Sequence, residues 1–161
     1  MDIVKVETGP TKVMFPNLAE TEKFEGEDTQ RYTVTMRWPK ESDEAAAIEK
    51  AFKQADHTGG TGHNPIKEGK NEFTEGQIVV KAKTKKPPRV VDQDGNDIDP
   101  SRIQTGDTCR LKIGFLPYEK GPNKGVTVIF NAVQLLKKRE NKDEFSEVPE
   151  QFRGASDDFP F

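Results

Sequence analysis

Apolar and polar residues alternate at period two in three places along the chain, which is the signature of strands with one buried face. Residues 31–38 set Tyr32, Val34, Met36 and Trp38 on one side and Arg31, Thr33, Thr35 and Arg37 on the other, and Pro39 ends the run. Residues 77–84 repeat the pattern, with Ile78, Val80 and Ala82 inward and Val79, Lys81 and Lys83 outward. Residues 108–116 do so again, with Cys109, Leu111, Ile113 and Phe115 inward and Arg110 and Lys112 outward; residues 126–136 form the most apolar stretch. Between the first two strands the period changes to that of a helix. Ser42 or Asp43 caps it, Asp43 and Glu44 suit the positive end of its dipole, and Ala45, Ile48, Phe52 and Ala55 form one apolar stripe. The helix stops near His57, ahead of Gly59 and Gly60, and packs on the strands.

The intervening segments read as turns and loops. Residues 58–76 and 118–125 are rich in Gly, Asn, Pro and Lys without sustained periodicity. Asp92-Gln93-Asp94-Gly95-Asn96-Asp97, flanked by Val90, Val91 and Ile98, is a hairpin turn. A chain of about five or six strands and one helix predicts a mainly β, partly closed small antiparallel barrel.

With 161 residues the chain suffices for one domain. Its 32% hydrophobic and 33% charged residues place much of it in loops, edges or a tail. The absence of a long apolar run and of a secretory pattern at residue 1 predicts a soluble, cytoplasmic protein. The lone Cys109 rules out an internal disulfide and reads as a buried, inert thiol. The formal charge of −3 is unevenly distributed. Residues 1–139 carry 23 basic against 21 acidic side chains, or +2, whereas residues 140–161 carry 2 against 7, or −5. This predicts a barrel domain over 1–139 and a flexible, disordered acidic interaction tail over 140–161.

The densest chemistry lies in residues 81–89, where Lys81, Lys83, Lys85, Lys86 and Arg89 occur without an acid. On a strand, Lys81, Lys83 and Lys85 share a face and can follow a phosphate backbone; lysines that protect a sheet edge look the same. Arg31, Arg37, Arg110, Lys112 and Lys124 extend this basic set. Unpaired bases also need aromatic platforms. Tyr118, in a polar loop beyond Pro117, is the first candidate, with Phe73 in the other long loop and Trp38 at a strand end beside it. Tyr32, Phe115 and Phe130 belong to the core. His57 and His63 lack zinc-site spacing and read as exposed loop residues, and Gly62 and Gly69 are too far apart for a phosphate loop. Asp97 occupies the place where a calcium loop needs glycine. No catalytic constellation, metal site or cofactor motif is left.

The last five residues, Asp157, Asp158, Phe159, Pro160 and Phe161, resemble the C-terminal tip of bacterial single-stranded DNA-binding proteins. There, the ring fills an apolar pocket on a partner and the acids meet a basic rim. Val90-Val91-Asp92, Ile98-Asp99-Pro100, residues 103–106, Tyr118, Asn123-Lys124-Gly125 and residues 131–134 resemble a tailed-phage family of single-stranded DNA-binding proteins with an OB-type barrel. The resemblance covers roughly residues 89–134, with a weaker match near Pro39-Lys40; residues 1–26 offer little to align. It implies a non-catalytic binder of single-stranded DNA in replication, recombination and repair, with protein partners at the tail; the sequence leaves monomer and homodimer both open, and the lack of a long apolar run predicts no membrane partner. Two other readings stay open: a protein-interaction adaptor without nucleic-acid affinity, and a magnesium-dependent nuclease built on Asp92, Asp94, Asp97 or Asp99.

Overall fold

The computed structural model describes residues 3–72 and 74–139, and the tip residues Asp157, Asp158, Phe159, Pro160 and Phe161, together with Phe73, lie outside them. The elements in chain order are β1 (Val4–Glu7), β2 (Thr11–Lys12), β3 (Met14–Asn17), β4 (Lys23–Phe24), β5 (Glu27–Asp28), β6 (Tyr32–Pro39), α1 (Asp43–Ala55), β7 (Ile66–Glu68), β8 (Gln77–Thr84), β9 (Arg89–Val91), β10 (Thr108–Lys120) and β11 (Asn123–Lys137). The main sheet runs β1-β10-β11-β8-β6-β3, and β4 and β5 form a separate ribbon. This is the expected mainly β, OB-type body with one α-helix.

The sheet is not closed by ladders. Instead, residues 11–17 span the gap, because β2 pairs with β10 while β3 pairs with β6. Between these pairings, the Thr11 hydroxyl accepts from Arg37 N at 2.9 Å and donates to Arg37 O at 2.8 Å, and Val13 N donates to Asp107 O at 3.0 Å. Nor is the pairing all antiparallel, since β11 runs parallel to both β8 and β9.

The inward positions of the alternating stretches do form the core: Val34, Met36, Trp38, Val80, Ala82, Phe115, Val126 and Val128 are all but fully buried. In β11 the buried parity changes from Val126, Val128 and Phe130 to Val133 and Leu135. A bulge explains the change, because Lys112 faces Ala132 while Ile113 faces Phe130, leaving Asn131 as the extra residue. Helix α1 begins where the Ser42 hydroxyl accepts from Ala45 N at 3.1 Å, and it buries Ala45, Ile48, Ala51 and Ala55. Cys109 is buried, and burial pushes its thiol up to about 12, as expected of an inert core residue.

Two further expectations are corrected by the fold. Residues 118–125 are not a loop: β10 and β11 continue as a ladder to Lys120↔Asn123, with only Gly121 and Pro122 between them. Trp38 is 1% exposed, so it is a core residue and no base can stack on it without unpacking the barrel.

Candidate nucleic-acid interface

The outward parity of β6, β7 and β8 builds a trough. Residues opposite one another in an antiparallel pair point to the same side. Thr33 faces Lys83 and Thr35 faces Lys81 across β6–β8, and Lys67 faces Val79 across β7–β8. The resulting concavity, about 440 Å³, is lined by Arg31, Lys67, Lys81, Lys83 and His63 among others, with Glu22 as its one acid. Lys81 Nζ lies 2.6 Å from Glu22 Oε2; Lys83 and Lys67 have no acidic partner among the described residues.

One wall of the trough is the segment after α1. His63 N donates to Lys124 O at 2.9 Å and Val126 N donates to His63 O at 3.1 Å, so the segment is stitched onto β11. Gly125 makes the approach possible: its φ is 152°, and a Cβ there would come within 2.5 Å of His63 N. His63 is held below its ordinary value of 6.5, first by burial and then by the neighbouring Lys67 and Lys83 ammonium groups. The imidazole is therefore neutral near pH 7.

A second basic patch lies over β9, β10 and β11, where Arg89, Arg110, Lys112, Gln134 and Glu7 line a smaller hollow of about 200 Å³. Here the cations are partnered. Arg89 Nε is 3.0 Å from Asp97 Oδ1, Lys112 Nζ is 3.7 Å from Glu7 Oε1, and Arg110 Nε donates to Gln134 Oε1 at 2.6 Å. The structure thus divides the sequence-predicted cations. Arg31, Lys81 and Lys83 come together in the trough, and Arg89, Arg110 and Lys112 in the patch. Lys85 and Lys86 lie past the end of β8, exposed, so Lys85 does not share a strand face with Lys81 and Lys83. Arg37 has outward parity, yet its Nε donates to Lys12 O at 3.3 Å and it does not line the trough. Lys124 is exposed near the tip of the β10–β11 hairpin, and Tyr118 is half-buried opposite Gly125.

Sequence reasoning missed Lys67, His63 and Glu22 as members of this site. Lys67 belongs to a three-residue strand inside a polar stretch, too short to show a period, and Glu22 precedes the first recognised strand. Of the four aspartates offered as metal ligands, two hold turns and one pairs with a cation: Asp92 Oδ1 accepts from Asp94 N and Asn96 N, Asp99 Oδ1 accepts from Ser101 N, and Asp97 Oδ1 accepts from Arg89 Nε. Among the described residues no three His, Cys, Asp or Glu side chains group as a metal site.

The family model described as "Enterobacter phage Enc34, ssDNA-binding protein" matches residues 4–159. The chain belongs to this family. Among solved structures, this family member resembles the single-stranded DNA-binding protein from bacteriophage Enc34. Its complex with single-stranded DNA matches at 23% identity, covering 86% of this chain and 88% of that one, with a TM-score of 0.63. Another structure of that phage protein matches at 21% identity and TM-score 0.64, covering 93% and 89%. The single-stranded DNA binding protein gp2.5 encoded by bacteriophage T7 shares the fold at 15% identity and TM-score 0.60, covering 89% and 98%. No curated protein matches in sequence. The family and these neighbours are named for binding, not for a reaction, in agreement with the expected non-enzymatic role. No helix among the described residues is long and apolar enough to cross a membrane.

Proposed function

We propose that this chain binds single-stranded DNA without catalysis, holding the strand in the trough over β6, β7 and β8. The observation that carries the reading is the trough's charge: Arg31, Lys67, Lys81 and Lys83 against the single acid Glu22. The chain's membership of a family described as binding single-stranded DNA supports it. Cations that meet phosphates neutralise charge without reading bases, so the protein coats strands with little sequence preference. Lys85, Lys86 and Lys124 flank the trough, and Tyr118 adds a ring near the hairpin tip. The setting would be replication or recombination of a phage genome in the host cytoplasm.

Residues 140–161 are the second part of the proposal. Their excess of acid suits them to visit the trough when it is empty and to be displaced by DNA, which frees the Asp157, Asp158, Phe159, Pro160 and Phe161 tip for replication or recombination proteins. The test is a salt titration with single-stranded and duplex oligonucleotides, using full-length protein and protein lacking residues 157–161. Affinity for the single strand should fall steeply with salt. Truncation should leave it unchanged or tighter while abolishing partner capture. Failure to bind at low salt, or weaker binding after truncation, would refute the scheme.

A further inference from the structure

We infer that Phe15 and Phe24 are base-stacking platforms that flank the basic trough, an inference that rests on the single-stranded DNA reading. They are the two large hydrophobic side chains that stand exposed among the described residues, at 71% and 66%. Both rings belong to segments that are hydrogen-bonded to residues lining the trough.

Phe24 belongs to the β4–β5 ribbon, which is rooted in the trough. Glu22 N donates to Arg31 O at 2.7 Å, Thr29 N donates to Glu22 O at 2.9 Å, and Glu22, Thr29 and Arg31 all line the concavity. Glu22 points its carboxylate at Lys81. Two positions further along an extended chain, Phe24 falls on the same side of the ribbon, roughly 7 Å beyond Glu22. The tight turn through Glu25 (φ 52°) and Gly26 (φ 82°) fixes the ribbon's end.

Phe15 lies on β3, which pairs with β6 on the side away from β8. It sits in the bulge of β3, where Met14 faces Thr35 and Asn17 faces Thr33. The Asn17 amide donates both to Phe15 O at 3.2 Å and to the hydroxyl of the trough-lining Thr33 at 2.9 Å. Thr105 Oγ1 accepts from Phe15 N at 3.0 Å. These bonds hold Phe15 at φ 48°, a left-handed conformation unfavourable for a side chain of this size. The neighbours Val13 and Met14 are buried, whereas the bulge leaves Phe15 exposed beside Asn17, the partner of Thr33. A basic trough with exposed rings on adjoining segments can grip an unpaired strand, with phosphates on the cations and bases on the rings.

Full-length protein and its F15A and F24A variants would be titrated with an oligo(dT) strand and with an all-abasic strand of equal length at one salt concentration. Each substitution should weaken oligo(dT) binding roughly tenfold while leaving abasic binding and the salt slope unchanged. Both positions are exposed, so thermal melting should not move. F24W should retain oligo(dT) affinity and show emission quenched by oligo(dT) but not by the abasic strand. Undiminished oligo(dT) binding by the alanine variants, equal losses on both ligands, or dissociation of a dimer by either substitution overturns the assignment while leaving the trough intact. Wild-type protein that binds neither ligand overturns the DNA reading itself, and this inference with it.

Discussion

The trough over β6, β7 and β8 and the patch over β9, β10 and β11 draw on similar stretches of sequence: outward lysines and arginines on alternating strands. They differ in what stands beside each cation. In the trough, four cations meet the single carboxylate of Glu22. In the patch, Arg89 and Lys112 face Asp97 and Glu7, and Arg110 is bound to Gln134. A phosphate entering the trough finds unpaired charge, whereas one entering the patch must displace an existing partner. The electrostatic footprint of a nucleic-acid binder is thus set less by how many basic residues face outward than by which acids the fold brings next to them.

The comparison breaks most visibly if the trough is discharged. A single-stranded polyanion loses about 0.7 in salt slope per phosphate contact removed, which at ~0.1 M salt corresponds to about fivefold in affinity. The triple variant K67A/K81A/K83A should therefore bind single strands about 100-fold more weakly and lower the salt slope by about 2, measured by oligonucleotide titration. Glu22→Gln works in the other direction. It frees Lys81 and removes the trough's acid, so affinity should rise about fivefold, most clearly at low salt. The triple variant R89A/R110A/K112A should change affinity by no more than about threefold, since these surface cations are already partnered. A loss equal to that of the trough variant would show that the strand runs over both faces.

Much of this was legible in the sequence, and the failures have physical causes. Period-two alternation identified the inward faces of β6, β8 and β10 residue by residue, because a half-buried strand permits no other pattern. The N-terminal strands were invisible: β2 is two residues long, and β3 is interrupted by a bulge in which Phe15 adopts a left-handed backbone. Residues 118–125 read as a loop because glycine, proline and lysine dominate there. A two-stranded ribbon held by backbone bonds needs no apolar face, and the ladder runs on regardless. Trp38 was offered for stacking because it ends its strand, although its parity already placed it inside. For the site itself, sequence supplied the cations and topology supplied their company. Lys81 and Glu22 are 59 positions apart, and nothing local foretells their contact.

A pH-dependent effect also separates the two regions, since only the trough is lined by a histidine. His63 is pushed below its ordinary 6.5 by burial and by Lys67 and Lys83, so it is uncharged at pH 7 and the free protein disfavours its protonation. The sign for stability follows: this contribution is present above pH 6.5 and is lost as pH falls through the lowered value. DNA binding runs the other way. A phosphate between Lys67 and Lys83 offsets the repulsion that suppresses the imidazolium, so binding takes up a proton and affinity gains as pH drops from 8 toward 5.5. One added charge corresponds to at most about fivefold. His63→Gln should remove this increment and leave every other pH-dependent change in place, so the difference between the two titrations isolates it. Identical pH profiles for wild type and variant would mean that the strand does not pass His63, and the wall formed by residues 63–67 would then lie outside the binding path.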